Sequence, residues 1–142
     1  MIAPRFEDVE IGDDLPVTHP DVSMENVRRF AGAANMMVGR FTDHEEARAE
    51  GLPGALVPGI MSQALLAAQI HAWAPGCHVR RIDTIFRAQI LVDSAPTSRG
   101  VVTDVDAESR SLEIDLTIVN EAGETRVVGT ATVVLVEDAG GS

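Results

Sequence analysis

The sequence predicts an α+β domain in which an antiparallel sheet wraps around one long apolar helix. Two observations carry this expectation. Residues Ile60 to Trp73 form a run rich in Ala, Leu, Met and Gln, with no acidic residue, no arginine and no internal breaker, stopped by Pro75-Gly76. After Cys77 the hydrophobic period changes to two: Leu112, Ile114, Leu116 and Ile118 alternate with Glu113, Asp115 and Thr117. A buried helix followed by a meander of strands is the α+β pattern. The 142 residues suffice for one domain with its own core. The domain is assigned to residues 1–138, and the tail Ala139-Gly140-Gly141-Ser142 is expected to be disordered.

The elements follow in order. Asp13 to His19 reads as an extended lead-in. Ser23 can cap a helix running to about Ala34, with Val27 and Phe30 on its inner side. Asp43 opens a short helix, Glu46 stands three residues on as in a capping box, and Gly51 closes it. Pro53-Gly54 is a turn. In the long helix, alanines and leucines occupy most of the circumference, which predicts burial on all sides. Val79 to Val92 reads as one long strand with Ile82, Thr84, Phe86, Ala88 and Ile90 on one face. Strands from Gly100 to Val105 and through 112–118 follow, and Ala122-Gly123 turns the chain into a last strand, Thr125 to Val136.

Composition narrows the function classes. A net charge of -11 opposes binding to a phosphate backbone, so nucleic acid is not an expected partner. No apolar run approaches the roughly 18 residues that span a bilayer, and the N-terminus lacks the apolar stretch of a signal peptide. Together with a single cysteine, Cys77, this makes a cytoplasmic protein without membrane contact the expectation. All 11 basic residues are arginines, and lysine and tyrosine are absent, which removes Schiff-base and phenol chemistry. Arg28-Arg29 and Arg80-Arg81 read either as solvated surface or as anion-holding pairs. His44 reads as surface and His71 as a structural residue in the last turn of the long helix. His78, beside Cys77, has too few companions for a site needing three or four ligands, and His19 lies in the lead-in, so no metal site is expected. Asp83 and Arg87 share a strand face and are expected to pair.

Several stretches resemble the MaoC-like family of R-specific enoyl-CoA hydratases and dehydratases. They are Phe6-Glu7-Asp8-Val9-Glu10-Ile11-Gly12-Asp13, the segment from Asp43 to Gly54, Val57-Pro58-Gly59-Ile60-Met61, and Ile85-Phe86-Arg87-Ala88, all in the family's order. The resemblance implies a hot-dog fold that dimerises, and an acyl thioester of coenzyme A or of a carrier protein held in a tunnel near the interface. It implies no resident cofactor; coenzyme A or the carrier protein would only carry the substrate. Active relatives bear an Asp and a His in a segment reading D-x-N-P-x-H. Counting back from Asp43, those two positions fall on Met36 and Phe41, and the Asn and Pro positions on Val38 and Gly39. A one-residue gap would bring Asn35 to the Asp position. Neither methionine nor phenylalanine exchanges a proton, so acid–base assistance worth roughly 10²–10⁴-fold is missing.

What the resemblance retains is Gly59, whose backbone N–H would meet the thioester carbonyl. Physics supports the assignment, because the first N–H groups of a helix are unpaired and its positive end favours an oxyanion. Asn35 and Arg40 are the polar groups nearest the vacated dyad and become candidate catalytic residues; Arg40 could equally bind an anion or sit at an interface. Met36, Phe41, Met61, Ser62 and Gln63 are candidate substrate contacts, with core filling or backbone satisfaction as their alternatives. Two readings of function remain. One is a derived enzyme acting on an acyl-thioester or polyketide-like substrate by cyclisation, isomerisation or dehydration without the standard dyad. The other is a non-catalytic substrate-binding subunit of a heterodimeric hydratase. The expected assembly is a homodimer or a hot-dog heterodimer.

Overall fold

The structure, a computed structural model, describes residues 3–136, so the tail expected at 139–142 and the boundary at 138 lie outside the described residues. Helix α1 spans Met24–Ala33, α2 Gly39–Thr42, α3 His44–Ala49 and α4 Gly59–Trp73. The strands are β1 His78–Phe86, β2 Thr97–Asp106, β3 Ser111–Val119 and β4 Thr125–Val134. They form one antiparallel sheet in the order β1-β4-β3-β2.

The predicted caps form. The Ser23 side chain accepts the Asn26 N–H at the start of α1, and the Asp43 carboxylate accepts both Glu45 and Glu46 N–H groups at the start of α3. Gly51 (φ 92°) closes α3 and Gly123 (φ 79°) turns β3 into β4, both in the left-handed region that glycine enters freely.

The core lies between α4 and the sheet. Leu112, Ile114, Leu116 and Ile118 of the central strand β3 are fully buried, and Met61, Leu66 and Ile70 of α4 pack into the same cluster. Gly129 in β4 makes the close approach possible: a Cβ there would stand 2.8 Å from Leu66 Cδ1. A buried polar knot fixes the helix along its length. Gln69, 2% exposed, accepts from the Ser98 hydroxyl at 2.5 Å and donates to the Ser98 and Pro16 carbonyls at 3.2 and 3.3 Å. Pro16 belongs to the lead-in, which runs beside β2 through bridges Asp14↔Val101 and Thr18↔Ser98. That covers the outer edge of β2 and leaves β1 as the open edge among the named strands.

Two expectations are corrected. Helix α4 is not buried on all sides: Ile60 is 58% exposed, and Ala64, Ala68 and Ala72 continue that face into solvent. A run of alanines has no polar face, so its pattern cannot tell one chain's core from a surface another chain would cover. The long strand 79–92 is also interrupted. It ends at Phe86, and the N–H groups of both Arg87 and Ala88 share the Arg126 carbonyl, at 2.9 and 3.1 Å. Two residues opposing one is the geometry of a bulge. The chain then changes partner: Val57 N–H donates to Ile90 O at 2.8 Å and Val92 N–H to Ala55 O at 2.9 Å. Strand propensity is local and does not encode such an exchange of partners.

Candidate functional site

The exchange of partners opens a cleft. It lies between the end of β1, the start of β4, the segment 53–57 and the N-terminus of α4, and encloses about 780 Å³. Leu56, Val57, Ile90, Leu91 and Val127 supply its apolar surface, with the rings of Phe41 and Phe86. The polar side chains on its lining are Ser62, Arg87, Gln89 and Arg126; no Asp, Glu or His is among them. The site can therefore hold an apolar chain and an anionic group, while its lining offers no side chain suited to move a proton near neutral pH.

Gly59 lines this cleft as the first residue of α4. Pro58 precedes it, fixes the backbone for helix entry at φ -57°, and caps nothing with its side chain. No acceptor is found for the Gly59 N–H among the described residues. A Cβ at Gly59 would stand 3.3 Å from the Phe86 ring, so a residue without a side chain lets the ring lie against the helix end. The result is a free donor at the positive pole of a 15-residue helix, bordered by an aromatic face.

The remaining sequence candidates divide. Phe41 and Ser62 line the cleft with Gly59; Asn35, Met36, Arg40, Met61 and Gln63 do not. Asn35 (φ 57°) terminates α1, and the next residue, Met36, donates its N–H to Ala31 O at 2.7 Å, the bond that closes a left-handed helix cap. Arg40 pairs with Glu50 at 3.2 Å, and its carbonyl accepts the Leu56 N–H. Met61 belongs to the core cluster. Gln63 donates to Thr84 Oγ1 at 3.0 Å and ties α4 to β1.

His44 is better placed than its position on a short helix suggests. Its ring is half-buried, with Nε2 2.8 Å from Asp93 and Nδ1 accepting the Ala55 N–H at 2.9 Å. The imidazole, followed by the Met24 N–H, holds the Asp93 carboxyl below its usual range. Ala55 adjoins the cleft wall at Leu56, so this linkage braces the wall. Asp83 pairs with Arg81 at 2.7 Å, not with Arg87 as its strand face suggests. Arg81 stands two residues from Asp83 on the same face of β1, whereas Arg87 lies beyond the strand's end at Phe86. Cys77 lies elsewhere, its thiol pushed up by burial.

Arg87, Gln89 and Arg126 escape a reading of the sequence alone. The strand partners Phe86 and Val127 bring Arg87 opposite Arg126 across 38 intervening positions. No local pattern signals that meeting.

No family profile and no curated protein sequence matches this chain. Solved structures do. R-hydratase PhaJ1 from Pseudomonas aeruginosa superposes with a TM-score of 0.87 at 17% identity, over 94% of this chain and 86% of that one. A MaoC-like dehydratase gives 0.85 at 27% identity, over 94% of this chain and 43% of that one. The ChsH1–ChsH2 complex from Mycobacterium tuberculosis gives 0.81 at 19% identity, over 89% and 98%.

Proposed function

We propose that this chain, which has the hot-dog fold of MaoC-like hydratases and dehydratases, binds an acyl thioester or a related polyketide-like molecule in the cleft beside Gly59. The observation that carries the reading is an apolar cleft of about 780 Å³ ending at an uncapped helix N-terminus, with no proton-transferring side chain on its lining. The acyl chain lies against Leu56, Val57, Ile90 and Val127, and the Gly59 N–H donates to the thioester carbonyl. That hydrogen bond draws charge onto the carbonyl oxygen and activates the adjacent carbons. Chemistry that follows from conformation and polarisation, such as cyclisation or isomerisation, suits this arrangement better than hydration.

A second reading is favoured by the exposed apolar face of α4 and the open edge of β1: a partner hot-dog chain covers that face and supplies the Asp and His. Both readings predict binding without hydration by this chain alone.

The test is to assay purified protein for hydration of crotonyl-coenzyme A and of a longer enoyl thioester, alongside thioester binding. A Met36→Asp/Phe41→His double variant is the comparison. Binding by the native chain without turnover is expected; because Met36 lies off the cleft lining, hydration gained in the variant would show that a side chain at position 36 still reaches the carbonyl. Hydration by the native chain overturns the reading of the vacated dyad, and absence of thioester binding overturns the substrate class. Sedimentation of the chain alone and with a co-expressed hot-dog partner separates the self-contained enzyme from the subunit.

A further inference from the structure

We propose that the cleft takes a ligand bearing an anionic group, carboxylate or phosphate, clasped between Arg87 and Arg126. The inference rests on the reading above only for the apolar remainder of the ligand.

The two arginines are cross-strand neighbours: the Arg126 carbonyl accepts the Arg87 N–H at 2.9 Å, and both residues line the cleft. Like charges directly opposite one another on a sheet are destabilising. Arg126 is partly buried at the cleft wall while Arg87 is exposed at its mouth. The Arg87 guanidinium makes no ion pair or hydrogen bond among the described residues, and Asp83 is engaged by Arg81 at 2.7 Å. Arg126 is 26% exposed and meets Glu124 at 3.3 Å, but that carboxylate is 65% exposed and leaves most of the guanidinium's five donors free. No carboxylate lines the cleft to neutralise the pair. A planar, two-oxygen anion fits: it can take paired N–H donors from each fork, and charge-assisted bonds of this kind are the strong ones. Gln89, on the same lining, adds a neutral donor. The bulge at Arg87 and Ala88 is what turns Arg87 into this position. On a chain of net charge -11 a local cationic pair facing an apolar cleft selects for an anion at that point, against the protein's long-range field.

The test is equilibrium binding of two matched probe pairs: octanoate against octanamide, and octanoyl-4′-phosphopantetheine against octanoyl-pantetheine, which lacks the phosphate. The native chain is expected to prefer the anionic member of at least one pair by about ten-fold, with the preference weakening as salt rises. Preference in the first pair identifies a carboxylate, in the second a phosphate. In Arg87→Gln and Arg126→Gln the preference should collapse, while Arg87→Lys keeps part of it and Arg29→Gln, on exposed α1, keeps all of it. Circular dichroism and melting confirm that each variant is folded. Equal binding within both pairs, no binding of either anionic probe, or a preference unchanged in both glutamine variants overturns the proposal. Octanoyl-pantetheine keeps the two conclusions apart: if it fails to bind while octanoate binds through Arg87, the thioester reading falls and the anion site stands.

Discussion

His44 bridges two segments of chain: its Nε2 lies 2.8 Å from the Asp93 carboxylate while Nδ1 accepts the Ala55 N–H. With Nδ1 accepting, the ring proton sits on Nε2 and is donated to Asp93. Ala55 is fully buried, so His44→Ala leaves its N–H without an acceptor, a loss of about 1–3 kcal/mol. A melting point lower by roughly 5 °C is expected for a domain of this size. Weaker binding of any cleft ligand should accompany it, because Leu56 follows on the same wall. A melting curve like that of the native chain would show that the linkage carries no stability.

The same contact sets an acid limb. Asp93 is held below its ordinary 3.8, so the stability it contributes is present above that value and is lost as pH falls through the lower, folded-state value. In Asp93→Asn, which keeps a residue tolerant of the local φ of 67°, this part of the decline below about pH 3.8 should vanish. Denaturant midpoints of both proteins between pH 5 and pH 2.5 read the difference.

Gly59 permits a clean separation of donor from shape. Gly59→Ala and Gly59→Pro place a similar Cβ against Phe86, but only proline removes the N–H. Proline suits a first helical position and follows Pro58, whose backbone is already extended (ψ 139°), so the helix should persist. Any turnover, in the native chain or in the double variant bearing Asp and His, should fall about 10²-fold further in the proline variant than in the alanine one. Equal rates would take the carbonyl away from Gly59.

Asn35 ends α1 at φ 57°, a conformation that costs glycine little and a β-branched residue far more. Asn35→Gly should therefore leave both melting point and ligand binding close to native, whereas Asn35→Val should destabilise by about 1–2 kcal/mol. Loss of activity in the glycine variant would instead give the side chain a chemical role.

At the centre of the sheet, Gly129→Ala places a Cβ 2.8 Å from Leu66 Cδ1 and 3.4 Å from the Asp83 carbonyl. The carbonyl is at ordinary contact distance, so the strain falls on Leu66, which is fully buried and has little room to yield; overpacking of about 1–3 kcal/mol is expected. A melting point that stays native would mean that α4 can lift from β4 without loss.

The sequence by itself determined what depends on local chemistry. The cap at Ser23, the cap at Asp43, the left-handed closure at Gly51 and the alternating burial of Leu112 through Ile118 follow from side chains reaching their own backbone or from a period of two. The α+β class was legible for the same reason, whereas the hot-dog fold and the candidate Gly59 were expected only through the resemblance of short stretches to MaoC-like proteins. Tertiary structure decided everything that joins remote positions. It set Arg87 opposite Arg126, gave Asp83 to Arg81, closed His44 onto Asp93 and Ala55, and ended β1 at Phe86 so that a cleft could open. It also uncovered the Ile60 face of α4, because apolar character says only that a surface favours leaving water, not which chain will cover it.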